Sequence, residues 1–106
     1  MIIIKAKIKL LKGNKKRKTS FFTGYRPLFL FTKDLRTSGA IKLINREEFK
    51  PGDEDVVWIY FLNKKYLTDS EGKYILNFTF SEAKEILGRG NVLQIYECNE
   101  IDLDHP

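Results

Sequence analysis

The sequence predicts an all-β domain, a sandwich or a barrel, and three observations support that prediction. Apolar and β-branched residues recur with a period of two in short segments, the first of which spans residues 2–11. Residues typical of turns separate about six such segments at regular intervals. Only residues 81–87, which read SEAKEIL, favour a helix. Their small number and the glycines that follow them predict a turn between two strands instead.

The first strand is predicted from the strictest alternation in the chain. One face of residues 2–11 carries only apolar side chains and the other carries lysines, as expected for a half-buried strand. The pattern ends at Gly13 and Asn14. The apolar positions are Ile2, Ile4, Ala6, Ile8 and Leu10, and the lysines are Lys5, Lys7 and Lys9.

Two further strands are predicted before the middle of the chain. Pro27 lacks an N–H group and is expected at the start or edge of a strand, with residues 28–32 extended after it. Residues 37–39, Thr-Ser-Gly, indicate a turn or a bulge before a short strand over 40–44. Four aromatic residues in this region are interpreted as core residues: Phe21, Phe22, Tyr25 and Phe29.

Three strands are predicted in the second half of the chain. Pro51-Gly52-Asp53 is a turn signal, because Pro presets φ and Gly accepts a positive φ. The apolar run over 56–62 is typical of a central strand, and a polar loop follows it over 63–72. Residues 73–80 alternate again, and a last strand spans about 86–96. The apolar face of 73–80 comprises Tyr74, Leu76, Phe78 and Phe80.

Length and composition indicate one domain in a reducing compartment. At 106 residues and 42% hydrophobic content, the chain fits a single domain with its own core. We expect that domain over residues 1–97 and an acidic, mobile tail over 98–106. No apolar run approaches the roughly 20 residues of a membrane helix, and lysines interrupt the N-terminus where a secretory signal would be apolar. With one cysteine, Cys98, we expect a cytoplasmic protein without membrane association.

The charge is unevenly distributed along the chain. The net charge is +5, and residues 1–33 contain ten Lys or Arg residues but no Asp or Glu. After Arg89 all charged side chains are acidic. A basic third indicates attraction to phosphate or to an acidic protein surface. For Lys5, Lys7 and Lys9 the alternative is a solvated strand face that prevents edge aggregation.

Residues 17–31, RKTSFFTGYRPLFLF, resemble the signature of the third domain of elongation factor Tu, which reads Gly-Gly-Arg-His-Thr-Pro-Phe-Phe-x-Gly-Tyr-Arg-Pro-Gln-Phe. The chain matches this pattern without a gap. Residues 37–41, 50–53 and 88–90 also resemble later family features, so that the resemblance covers roughly residues 4–97. The matching residues of the signature are Arg17, Thr19, Phe21, Phe22, Gly24, Tyr25, Arg26, Pro27 and Phe29.

The resemblance implies a six-stranded antiparallel closed β-barrel. In the full factor this domain packs against a GTPase and contacts the T stem of aminoacyl-tRNA. The sequence itself predicts no GTP site. A phosphate-binding loop needs Gly, four residues and then Gly-Lys-Ser/Thr. The Gly72-Lys73 pair is followed by Tyr74 and has Leu67 where the first glycine belongs.

The resemblance also places the candidate RNA- or partner-binding residues. The cluster of residues 15–19 combines cations with a hydroxyl donor, and the resemblance implies that Arg17, Lys18 and Thr19 correspond to the tRNA-contacting surface. Arg26 is a second candidate, with a structural role in its loop as the alternative. The family's terminal hairpin, Arg-Glu-Gly-Gly-Arg-Thr-Val-Gly, is less well kept, because both glycines are lost and Glu85 replaces an arginine. The candidate residues are Lys15, Lys16, Arg17, Lys18, Thr19, Arg26 and Glu82.

Catalysis is not predicted. His105 is the only histidine and lies one residue from the end, and a reactive role for Cys98 has no further support. The acidic groups at 47–48 and 53–55 lie beside turn signals and are interpreted as solvated loop acids. We therefore expect no enzyme activity, no metal and no cofactor.

Two functional hypotheses remain at this stage. The first is a non-catalytic module that binds tRNA, another structured RNA or a protein of the translation machinery. The second is a protein–protein interaction domain that mimics the elongation-factor barrel, such as an immunity or decoy protein against a toxin.

Overall fold

The computed structural model describes residues 1–12 and 19–98, and within them the fold is all-β, as predicted. One short 3₁₀-helix, Lys64–Tyr66, interrupts the strands. The strands of this part of the chain are β1 (Ile2–Leu10), β2 (Phe21–Phe22), β3 (Leu28–Leu30), β4 (Arg36–Ser38), β5 (Ala40–Leu43), β6 (Glu48–Phe49), β7 (Glu54–Phe61), β8 (Asn77–Glu82) and β9 (Glu85–Glu97). Within residues 1–12 and 19–98, no helix has the length and apolarity needed to cross a bilayer.

The main sheet is antiparallel and is built around β1. Its seven strands are ordered β4-β3-β8-β9-β1-β7-β5, and β2 and β6 form a separate two-stranded sheet. β1 pairs along its whole length with β7 on one side and β9 on the other. The continuous apolar run of β7 is typical of a strand that is covered on both faces.

The sheet curls into a half-barrel. Its two edge strands, β4 and β5, lie at opposite ends of the strand order but are separated in the chain only by Gly39. A flat sheet could not be joined across its edges by one residue. Beyond β5, the Gly24 N–H donates to the Ile41 carbonyl at 2.8 Å, and the Ile41 N–H donates to the Tyr25 carbonyl at 2.9 Å. The structure therefore agrees with the predicted six-stranded closed barrel in being all-β and curled, but its sheet is a half-barrel of seven strands.

The core fills the concave side of the sheet. Phe29 is fully buried, and its ring lies 5.1 Å from Phe61 and 5.7 Å from Phe78 between centroids. Under the small sheet, Phe21 stacks on Phe49 at 5.1 Å. The predicted inner face of β1 is confirmed, since every second side chain from Ile2 to Leu10 is buried.

Most predicted strands are confirmed with shifted ends, and two core assignments are wrong. Phe22 is 59% exposed, because it follows the buried Phe21 in a two-residue strand and its side chain points to the opposite face. Leu76 is 55% exposed, because β8 begins only at Asn77 and the alternation before it belongs to a loop. The stretch over 81–87 contains the predicted turn between two strands, at Ala83 and Lys84, with the ends of β8 and β9 on either side.

The turn at Pro51-Gly52 is confirmed. The Asp53 N–H donates to the Lys50 carbonyl at 2.9 Å, and Gly52 has a φ of 93°. These features define a type II turn. At the other end of the molecule, the Cys98 N–H donates to the Met1 carbonyl at 2.9 Å. The expected tail therefore starts from a tethered residue, and residues 99–106 lie outside the described part.

Candidate nucleic-acid interface

The predicted binding residues are only partly covered by the structure. Lys15, Lys16, Arg17 and Lys18 lie outside the described residues, so their assignment stays a prediction. Thr19 is exposed in a bend before β2. Arg26 is exposed between β2 and β3, and we find no hydrogen bond from its guanidinium to any described residue.

The structure brings the loop of Arg26 next to the hairpin of Glu82. The Tyr25 hydroxyl donates to the Glu82 carboxylate, and Arg36 Nη1 donates to the Ala83 carbonyl at 3.3 Å. These two contacts fix the tip of the β8–β9 hairpin. They give Glu82 a structural role, and its binding role stays a prediction.

The hairpin turn keeps a backbone conformation that usually requires glycine. Ala83 has a φ of 52°, and it is the only non-glycine residue with a positive φ in the described ranges. A positive φ at the first of two central residues is typical of a type II′ turn. The β8–β9 turn is therefore tight without a glycine, although alanine adopts this conformation at a cost of roughly 1–2 kcal/mol.

A basic surface lies on the convex side of the sheet. Lys5, Lys7 and Lys9 point outward from β1, as their alternation predicted. The pairing register adds cations from the neighbouring strands: Arg89 of β9 lies opposite Lys9, and Lys42 of β5 shares a cross-strand row with Lys5. We call this surface the outer basic face; it comprises Lys5, Lys7, Lys9, Lys42 and Arg89.

The outer basic face carries little negative charge. Glu54, at the start of β7, lies opposite Lys9 and is the acidic residue in these cross-strand rows. Among the residues that the structure describes, Lys7, Lys9 and Arg89 take part in no ion pair. The side chains between the cations are neutral, for example Asn91 opposite Lys7 and Gln94 opposite Lys5.

The dimensions of the face follow from strand geometry. Neighbouring strands lie about 4.8 Å apart, and residues two positions apart lie about 6.7 Å apart. The four strands β9, β1, β7 and β5 therefore span about 14 Å across, and Lys5 to Lys9 spans about 13 Å along β1. Cations at this spacing can contact several phosphates of one nucleic-acid strand.

A recess adjoins the basic end of this face. It has a volume of about 440 Å³ and is lined by Lys9, Leu11, Lys12 and Gly52. Gly52 closes it from the β6–β7 turn by donating its N–H to the Leu10 carbonyl at 2.7 Å. Two ammonium groups at a concave surface favour an anionic group.

An aromatic pair lies at the other end of the face. Trp58 of β7 and Tyr96 of β9 have ring centroids 5.8 Å apart, inclined by 58°. The Lys5 ammonium lies 5.5 Å from the centroid of the Trp58 ring. Ile3 lies between Tyr60 and Tyr96 in the register and is fully buried, although its position on β1 faces outward. Sequence reasoning missed this cluster, because its members come from three strands that pair over long distances in the chain.

The prediction of solvated loop acids is wrong for Asp53 and Asp55, whereas Glu47 is exposed in a loop as predicted. Arg46 Nη1 lies 2.6 Å from the Asp53 carboxylate, and Arg46 Nε lies 2.9 Å from that of Asp55. Asp53 also accepts the Lys50 N–H at 2.8 Å. These carboxylates hold the β6–β7 turn. A groove of about 720 Å³ lies beside them and is lined in part by Phe22, Arg46 and Glu48, and its charged side chains are already paired in part.

A separate polar contact joins the last strand to the 3₁₀-helix. The Tyr74 hydroxyl donates to Glu97 at 2.9 Å, and Lys64 Nζ lies 3.5 Å from the same carboxylate. Burial, and then the hydrogen bond to Glu97, raise the pKa of Tyr74 to about 12. The same hydrogen bond and the Lys64 charge lower the pKa of Glu97. The contact therefore persists at neutral pH and anchors the end of β9, with no feature of an acid–base pair tuned to that pH.

Comparison with known proteins does not assign the chain to a family. No family model matches it, and no curated protein is similar enough to count as a relative. The resemblance to the third domain of elongation factor Tu stays a prediction based on the residues quoted for it.

Proposed function

We propose that this protein is a non-catalytic RNA-binding module that contacts the phosphate backbone through its outer basic face. The observation that carries the proposal is the charge of that face. It contains five cations from three strands, and the cross-strand rows of these cations contain one carboxylate, that of Glu54. Backbone contacts of this kind supply most of the sequence-independent affinity for nucleic acid.

The arrangement of the cations supports a polyanionic partner. Lys7, Lys9 and Arg89 are close enough to repel one another, and no described carboxylate forms an ion pair with them. A phosphate chain would relieve that repulsion and release its own counterions. The alternative of lysines that protect a sheet edge does not apply to β1, because β1 is paired on both edges. Lys42 and Arg89 extend the charge onto β5 and β9.

The resemblance to elongation factor Tu supports RNA as the partner. In that family the third domain contacts tRNA, and the positions corresponding to Arg17, Lys18 and Thr19 lie at the contact. We propose that the half-barrel is a member of that closed six-stranded barrel type, and that structured, tRNA-like RNA or another component of the translation machinery is bound. Residues 15–18 would then add to the charge that the outer basic face supplies.

Binding to tRNA at several salt concentrations tests the proposal. We expect micromolar or tighter affinity that falls steeply with salt, with a slope of log K against log[salt] of about −3 to −4.5 for four or five phosphate contacts. The double variant Lys7→Gln/Arg89→Gln should reduce the magnitude of that slope by about 1.5 to 2. Filter binding or a gel shift measures both quantities.

A charge-matched control separates the outer basic face from net charge. The double variant Lys65→Gln/Lys73→Gln removes the same charge from the loop between β7 and β8, outside the face. We expect it to bind almost as the unmodified protein does. Equal losses in both variants, binding that does not depend on salt, or no binding would contradict the proposal. Recovery of a protein without RNA in a pull-down would favour the decoy or immunity hypothesis instead.

A further inference from the structure

The outer basic face contains an aromatic pair that phosphate binding does not require. Trp58 and Tyr96 are each only partly buried. Trp58 lies in the cross-strand row of Lys5 and Lys42, and Tyr96 lies in the adjacent row, opposite Ile3. Building on the RNA-binding proposal above, we propose that this pair is a stacking platform for an unpaired base. The preferred ligand of the face is then a single-stranded segment.

The geometry of the rings leaves surface for a ligand. The 58° inclination means that Trp58 and Tyr96 do not cover each other face to face. The group above Trp58 is the Lys5 ammonium, which is attached to a flexible side chain that can move aside. Every nucleic-acid base has a π-face, so any base can stack on an aromatic ring. Such stacking is a usual way in which single strands are bound.

Charge surrounds the platform on both sides. Lys5 of β1 and Lys42 of β5 are the direct cross-strand neighbours of Trp58. A nucleotide whose base stacks on Trp58 would therefore have a cation on either side for its flanking phosphates. Sheet surfaces that combine aromatic side chains with cations are a recurring form of RNA recognition.

A packing role accounts for part of this cluster but not for all of it. Tyr60 and Tyr96 flank Ile3, which is fully buried on the outward side of β1. An apolar cover for Ile3 requires neither a partly exposed indole nor a cation above it. A double-stranded RNA offers no base face to such a platform, because its bases are stacked on each other inside the helix.

The fluorescence of the protein reports directly on this site, because Trp58 is the only tryptophan. We expect a short oligouridylate to quench that fluorescence as it binds. Inorganic polyphosphate and a duplex RNA of equal phosphate content should bind with a much smaller change. Trp58→Leu should weaken oligouridylate binding roughly 5- to 150-fold, the loss of one stacked base, and leave polyphosphate binding unchanged. Trp58→Phe should recover part of the affinity.

The outcomes distinguish the two proposals. Tight oligouridylate binding without quenching, or equal weakening of oligouridylate and polyphosphate by Trp58→Leu, would overturn the platform and leave phosphate binding standing. Absence of binding by every polyanion would overturn both. If Trp58→Leu fails to fold, the quenching comparison in the unmodified protein decides alone. Equal quenching by oligothymidylate would support stacking and identify the base, not the ribose 2′-hydroxyl, as the recognised group.

Discussion

At the scale of single residues, Arg46 shows how the structure changes the meaning of an acidic sequence motif. Its guanidinium bridges Asp53 and Asp55, and its Cζ lies 5.3 Å from the centroid of the Phe49 ring. The side chains of this cluster are 27–33% exposed, so water screens them only in part. The cluster therefore joins the turn before β7 to the small sheet.

We expect Arg46→Gln to lower the free energy of unfolding by about 1 kcal/mol, because two ion pairs of roughly 0.2–1 kcal/mol each are lost. Denaturant unfolding measures the change, and high salt should reduce it. Lys73→Gln is the control, since Lys73 and Glu71 lie 3.6 Å apart with 76% and 72% of their side chains exposed. It should change stability by less than about 0.5 kcal/mol. Equal effects of the two variants would show that Arg46 is only a surface residue.

At the scale of secondary-structure elements, β9 depends on glycine where it passes between β8 and β1. A Cβ on Gly88 would overlap the Lys9 carbonyl oxygen and the Phe80 ring. Both neighbours are fixed, because Lys9 lies in a strand paired on both edges and Phe80 is fully buried. Glycine is therefore needed here for close approach of two strands and an aromatic ring.

Gly88→Ala should destabilise the protein by about 3 kcal/mol, the upper end of the usual cost of overpacking. Gly72→Ala provides the comparison, because Gly72 has a φ of 79° but a Cβ at this position would meet no atom within 4 Å. Its cost should be only about 1 kcal/mol, from the backbone conformation alone. Denaturant midpoints of both variants test the difference. A smaller loss for Gly88→Ala than for Gly72→Ala would contradict the role of close packing.

The sequence allows the elements to be predicted better than the site they form. Alternation in residues 2–11 predicts both faces of β1, because a half-buried strand places apolar and polar residues at alternate positions. The outer basic face needs a second kind of information. Arg89 meets Lys9 only through strand pairing between distant segments, and no local pattern encodes that register. For the same reason, the sequence does not predict the contacts of Arg46 or the aromatic pair of Trp58 and Tyr96.

At the scale of the whole molecule, the strands of the half-barrel differ in how many neighbours they pair with and over what length. β1 is paired on both edges along its length, whereas β4 contributes three residues paired only with β3. Gly39 joins this weak edge to β5, and a Cβ there would lie 2.6 Å from Phe61 Cε1. Phe61 therefore packs closely against the residue that joins the two edges of the sheet.

We expect hydrogen exchange to separate these regions. The amides of β1 should exchange only through global unfolding, with an opening free energy equal to that from denaturant unfolding. The amides of β4 should exchange at least about a hundredfold faster, which corresponds to about 2.7 kcal/mol less opening free energy. β5 should lie between them, because the Ile41 N–H is held by the Tyr25 carbonyl. Protection of β4 equal to that of β1 would contradict an open edge. It would mean that the sheet closes in solution, as the barrel of the elongation-factor type requires.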